Sequence, residues 1–200
     1  MQQNTTLTIP EKYDVLGKLA WLWMSSPLHR NWPVGLLSRF ALPPVELGQY
    51  LLLERDGLPV AYCSWALLNS QAETAYMLNA ADIPLADWNG GDHLWFVDWI
   101  APFSKADSWE MKRQLEEKFP TSVARAIRVK RDSGRARVME FMGPRADRLA
   151  AREILANHFQ DFLKTFEAHR TGETQGVRQV QKIKVQKASM GTPILVEAAA

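Results

Sequence analysis

Apolar residues in the first part of the chain recur at helical spacing. From Pro10-Glu11 onward, Leu16, Leu19, Ala20 and Trp23 fall on one helical face. Ser25-Ser26-Pro27 should end that helix, because the residue before a proline is pushed out of helical geometry. Asn31 is a good N-cap and Pro33 suits a first turn, so a second helix is expected from there to about Arg39, halted by Pro43-Pro44. His29 then lies in the short connection between two helices.

Beyond residue 48 the pattern shifts to short apolar runs bounded by turn residues. Gln49 to Arg55 reads as a strand, Asp56-Gly57 as a hairpin turn, and Pro59 to Leu68 as its partner. The polar turn Asn69-Ser70-Gln71 leads to a third expected strand near Glu73 to Leu78. A loop rich in Asp, Asn and Gly follows (Asp82 to Asp92), and Leu94 to Ile100 is apolar enough for a central strand. Asp107 to Lys118 is helical in pattern, with acidic residues early and basic ones late. Ser122 to Arg131 and Arg135 to Phe141 form a second hairpin across Asp132-Ser133-Gly134. Pro144 precedes a long helix to about His169, striped by Leu155, Phe159, Phe162 and Phe166. The order predicts an α+β protein, a mostly antiparallel central sheet flanked by helices. Residues 1–170 form one domain, and the polar, aperiodic residues 171–200 read as a flexible C-terminal tail with at most a short strand near Ile183 to Val185.

Composition narrows the function classes. The 200 residues are 46% hydrophobic and 23% charged, enough for a packed core and unlike a disordered chain. A net charge of +2 leaves no electrostatic footprint for nucleic acid. No run approaches the ~20 apolar residues that span a bilayer. The single cysteine, Cys63, cannot form an internal disulfide. The N-terminus lacks a basic region followed by an apolar run, so a cytoplasmic location is expected. Cys63 itself, among Tyr62, Ser64 and Trp65, reads as a small packed side chain.

Chemistry is then sought by elimination. There is no glycine-rich phosphate loop, no paired-cysteine site and no two-histidine helix motif, and four scattered histidines argue against a metal centre. His158 and His169 suit surface or packing roles on the last helix, and His93 a loop. His29 differs: it faces the positive end of the second predicted helix, whose field favours the neutral ring a general base needs. Its spacing alone leaves a helix-capping role open. Ser25 and Ser26 can terminate the first helix, or place a hydroxyl near His29 across Pro27. Asp98 is a carboxylate inside an apolar run, costly unless paired, so it is either half of a structural ion pair with an arginine or the group that orients His29. Residues 105–137 hold ten Lys and Arg against five Asp and Glu, a local +5 that leaves −3 elsewhere in a chain of net +2. Arg125 and Arg128 on one strand are either a solvated face or a dock for an acidic partner or phosphate.

Four motifs carry a resemblance. Ser25 to Pro33, Pro59 to Ala66, Trp95 to Phe103 and Arg125 to Val129 resemble, in that order, segments of the RTX toxin-activating lysine acyltransferases. The likeness runs from about Asp14 to Phe166. It implies a GNAT-like fold and a reaction that moves a fatty acyl group from acyl-acyl carrier protein to ε-amines of internal lysines in an RTX protoxin. It further implies a cytoplasmic enzyme, a possible homodimer, and no bound cofactor beyond the phosphopantetheine thioester of the donor. By motif match His29 stands for the catalytic histidine, Asp98 for the catalytic aspartate and Ser26 for a serine implicated in activity. Arg125 and Arg128 would meet the carrier protein. The tail after about Thr171 has no counterpart. Two other readings compete: a non-catalytic chaperone that binds the protoxin, and a CoA-dependent acetyltransferase, whose backbone-rich phosphate loop is missing.

Overall fold

The computed structural model describes residues 7–80, 83–129, 136–173 and 195–196. Helix α1 (Ile9–Ser25) opens with Pro10 in its first turn, and the Glu11 carboxylate accepts hydrogen bonds from both the amide and the hydroxyl of Thr8. It buries Val15, Leu19, Leu22 and Trp23, a stripe rotated slightly from the expected one. The second helical segment differs more. A three-residue 3-10 turn (Val34–Leu36) and a π turn (Leu37–Ala41) run directly into α2 (Leu42–Leu47). Pro43 and Pro44 therefore sit in the first turn of a helix instead of stopping one; a missing N–H costs nothing there, since it would have no helical partner.

Strands β1 (Tyr50–Arg55) and β2 (Leu58–Leu68) pair antiparallel about Asp56-Gly57. Both turn residues have positive φ, 53° and 77°, the left-handed backbone region that a two-residue hairpin turn requires to match the right-handed twist of its strands. The strand expected near Glu73 to Leu78 is instead helix α3 (Ser70–Leu78), capped by Asn69, whose side chain accepts from the Ala72 amide at 2.9 Å. The polar trio read as a turn is an N-cap, since the same side chains serve both. The sheet thus continues straight from β2 to β3 (His93–Ile100). Gly91 permits that return: a Cβ there would lie 2.4 Å from the Leu68 carbonyl oxygen.

Helix α4 (Lys105–Lys118) carries the chain over one face, so β4 (Val123–Val129) pairs parallel to β3, and β5 (Ala136–Met142) pairs antiparallel to β4. The turn at Asp132-Ser133-Gly134 lies outside the described residues. Helix α5 (Arg148–Glu173) follows, and a two-residue strand β6 (Leu195–Val196) pairs with β5. The sheet order β1-β2-β3-β4-β5-β6 is antiparallel except at β3–β4, as expected of a GNAT-like α+β fold. Ile183 to Val185, where a strand was expected, and most of the 171–200 tail lie outside the described residues.

Side chains of β2 divide the core. Ala61, Cys63 and Trp65 pack with Met111 and Leu115 of α4. On the opposite face Tyr62 meets Leu19, Leu22, Trp23 and Phe40, while Ala66 and Leu68 meet Tyr76, Trp88 and Trp95. No helix among the described residues is long and apolar enough to cross a membrane.

Candidate active site

Helix α1 ends where the site begins. Ser26 is its C-cap in extended geometry, and the Ser26 carbonyl accepts from the amides of His29 (3.1 Å) and Arg30 (2.9 Å). This turn folds the histidine back beneath the helix end. The ring lies between Trp23, stacked at 5.6 Å, and Trp32, edge-on at 4.5 Å. Ser25, the other candidate hydroxyl, bonds backward to the Trp21 carbonyl and takes no part. No helix starts at Asn31; the short 3-10 turn is capped by Pro33, so the expected helix field on His29 is not there. Hydrogen-bond partners place the ring proton instead.

Those partners are the two residues named with it. His29 Nε2 lies 3.0 Å from Asp98 Oδ1, and His29 Nδ1 lies 2.7 Å from Ser26 Oγ. An ionised carboxylate only accepts, so in the neutral ring Nε2 donates to Asp98 and Nδ1 accepts from the serine hydroxyl. Relative exposures of 7% for Ser26, 3% for His29 and 8% for Asp98 put the whole chain of bonds out of bulk water.

A bulge aims Asp98. In the β2–β3 ladder Ser64 faces Asp98 and Trp65 faces Phe96, which leaves Val97 as an extra residue on β3. Strict alternation would set Asp98 on the same face as Leu94 and Phe96, against α4. With the extra residue, Trp99 takes that side and donates from Nε1 to Ser108 of α4 at 3.1 Å, while Asp98 turns to His29. The Asp98 Oδ2 atom has no partner among the described residues, and neither does the buried Trp23 Nε1; the Ser64 hydroxyl faces the buried Tyr62 phenol. Burial and the Asp98 charge push the Tyr62 phenol well up, so it stays a neutral donor. The same two causes push the Cys63 thiol up; it is protonated and buried, not a nucleophile.

Arg125 corrects the sequence reading. Its guanidinium is buried, donating from Nη1 to Glu73 Oε1 (2.9 Å) and from Nη2 to the Leu155 carbonyl (2.8 Å). It ties α3 and α5 to the sheet and offers nothing to a docking partner. Alternation along β4 points it inward; Arg128, three residues on, is exposed. His93 is likewise not a loop residue: it opens β3, buried, with Nδ1 2.9 Å from Glu73 Oε2, and its ring stacks on His158 at 3.5 Å. Trp95 Nε1 donates the remaining bond to Glu73, at 2.7 Å. Burial works against the Glu73 charge, but the His93 bond and the Arg125 cation outweigh it and hold the carboxyl below its usual range. Burial first, then the charges of His93 and Arg125, lowers His158. Glu73, His93 and His158 converge closely enough to suggest metal ligands, yet both Glu73 oxygens already accept from the protein and the Arg125 guanidinium already matches the carboxylate charge. Glu73, Tyr62 and Ser64 escaped the sequence reading because nothing local marks them.

Known proteins are similar to this chain in sequence. The profile of the RTX toxin acyltransferase family matches residues 9–142, a span that includes Ser26, His29 and Asp98. The chain is 43% identical over 171 residues to the protein-lysine palmitoyltransferase CyaC of Bordetella bronchiseptica, covering 86% of this chain and 92% of that protein. It is 46% identical over 149 residues to the RTX-I toxin-activating lysine-acyltransferase ApxIC of Actinobacillus pleuropneumoniae, covering 74% and 86% respectively. With the protein-lysine myristoyltransferase HlyC of Escherichia coli it shares 41% identity over 157 residues, covering 78% and 91%. The chain therefore belongs to the RTX toxin acyltransferase family and is an acyltransferase.

Proposed function

We propose that this enzyme moves a fatty acyl group from the thioester of acyl-acyl carrier protein to ε-amines of internal lysines in an RTX protoxin, activating it in the cytoplasm. The observation that carries the reading is the buried chain Ser26–His29–Asp98. A lysine amine is protonated at neutral pH and must lose that proton to attack a thioester. Both His29 nitrogens are engaged, so the base acts through the serine. The ammonium sheds its first proton to solvent. As the neutral nitrogen bonds to the thioester carbon, Ser26 Oγ takes the second proton leaving that nitrogen while the hydroxyl proton passes to His29 Nδ1, and Asp98 stabilises the resulting imidazolium. The tetrahedral intermediate collapses with loss of the thiolate. The imidazolium proton returns through Ser26 to that sulfur, and the site is restored. The buried Trp23 Nε1, without a partner among the described residues, is a donor in reserve for a substrate oxygen.

The 2.7 Å contact also supports a second reading, in which Ser26 is the nucleophile and carries the acyl group before the lysine arrives. Incubating the enzyme with labelled acyl-acyl carrier protein and no protoxin separates the two. A label retained on a Ser26 peptide favours the covalent route; its absence, with normal transfer once protoxin is added, favours the relay. The proposal as a whole is tested with purified enzyme, acyl-acyl carrier protein and protoxin, reading the mass of lysine peptides. No added acyl mass would sink it. Exposed Arg128 is the remaining basic candidate for contact with the carrier protein, and a homodimer is part of the same proposal.

A further inference from the structure

Strand β3 runs to Ile100 and β4 to Val129, yet their parallel ladder covers only Leu94–Phe96 and Ala124–Ala126. Past Phe96 and Ala126 the strands part. Asp98 stands at that parting on the His29 side, and its neighbour Trp99 stands there on the α4 side. Behind Trp99 is a hollow of about 220 Å³ between α4 and the sheet. Phe96, Trp99, Leu115, Phe119, Ala124 and Phe141 line it, with Lys112, Glu116 and Glu140 among its polar lining. The aromatic walls are braced against one another: Trp99 stacks on Phe141 at 6.1 Å, and Phe96 meets Phe119 and Phe141 edge-on. A second hollow of about 400 Å³ shares Phe119 and Ser122 with the first and reaches Leu94 of β3 and Leu67 of β2, with Asp92, Asn157 and His158 also lining it. From Trp99 to Leu94 is five strand residues, roughly 17 Å at the rise of a β-strand. That is on the scale of a long-chain acyl group.

We propose that this aromatic trough under α4 binds the acyl chain of the donor, and that its lining, Ala124 and Phe141 above all, sets which chain length is transferred. The inference rests on the acyl-transfer reading above and extends it. A thioester carbonyl held where β3 and β4 part sits beside Asp98, and the hollow lets its chain run past Trp99 and along Phe96 and Phe119. An apolar trough selects by length, because each methylene it buries adds roughly fourfold to binding and a wall residue cancels the gain abruptly.

The test pairs a filling and an opening variant. Wild type, Ala124→Leu and Phe141→Ala are given equal dodecanoyl- and hexadecanoyl-acyl carrier protein with protoxin, and the ratio of the two products on lysine peptides is read by mass. Ala124→Leu should shift the ratio at least tenfold toward the shorter chain, and Phe141→Ala should shift it toward the longer. Titration with hexadecanoate alone gives an independent readout: wild type should bind it, and Ala124→Leu should bind it at least tenfold more weakly. Wild-type product ratios in both folded variants would overturn the proposal, as would a wild type that fails to bind hexadecanoate. Should wild type bind hexadecanoate but transfer no acyl group, the trough stands and the acyl-carrier donor reading falls. If Ala124→Leu does not fold, an unchanged ratio in Phe141→Ala together with undiminished hexadecanoate binding by Leu115→Trp overturns it equally.

Discussion

Two buried carboxylate–histidine pairs lie on the same sheet, and they are built to opposite ends. Glu73 accepts from His93, Trp95 and Arg125, so its charge is matched on both oxygens. Among the described residues, Asp98 accepts from His29 alone and keeps Oδ2 without a partner. A fully satisfied buried network rigidifies what surrounds it, while a partly satisfied one retains capacity for new bonds and new charge. The Glu73 network ties α3 and α5 to β3 and β4. The Asp98 pair holds an imidazole against a serine hydroxyl and leaves polar atoms to spare, an arrangement suited to a proton in motion.

Variants that separate stability from turnover bear on this contrast most directly. The largest effect should come from His29→Ala, which should cut acyl transfer by roughly 10³ or more, the range of a lost general base, while the folded fraction is kept. Lysine acylation at wild-type rate in that variant would erase the contrast. Asp98→Asn should follow with a loss of about 10² to 10³ and an almost unchanged unfolding midpoint; unfolding instead would make this pair structural like the other. Glu73→Gln should do the reverse, costing about 3–5 kcal/mol in chemical denaturation because the buried Arg125 cation loses its match. Its transfer rate per folded molecule at low temperature should stay within about threefold of wild type.

Acid sharpens the comparison further. Glu73 and His158 both have folded pKa values depressed from their ordinary ones. The stability each contributes is therefore present above its unfolded value and is lost as pH falls through the folded one. For His158 the loss begins as pH drops below about 6.5, and for Glu73 below the ordinary glutamate range. His158→Gln should flatten the first part of that decline, measured as the unfolding midpoint against pH, and an unaltered slope would remove His158 from the account. The smallest effect is expected at the surface: Arg128→Glu should raise the KM for acyl-acyl carrier protein severalfold with kcat unchanged. No change in KM would leave the carrier protein to dock elsewhere.

Much of the frame was legible because it depends on local rules. Asp56-Gly57 is a hairpin turn wherever two strands flank it, and α4 carries its own Ser104 cap and charge order. Asn69 misled because a polar run can open a helix as readily as close a turn. His29 and Asp98 stood out by chemistry, one as a histidine in a helix-ending loop and the other as a charge in an apolar run. Arg125 misled for a related reason: beside Arg128, Lys130 and Arg131 it looks like part of a surface cluster, and only the alternation of a strand already placed sends it inward.

By itself, then, the sequence determined which segments are helix or strand at most positions, and which ionisable residues are costly enough to need a reason. Only the tertiary structure decided how they meet. The residue that joins Asp98 to His29 is Val97, an extra position in β3 that no periodicity reveals, because the run from Leu94 to Ile100 is apolar on both faces and has no alternation to break. The same holds for Ser25 and Ser26, equal in sequence and separated only by the turn that gives one to the Trp21 carbonyl and the other to the imidazole. Local pattern specifies elements because backbone preferences are local. A site assembled from a helix end and a strand some seventy residues away depends on register and burial, which exist only once the sheet has closed against α1.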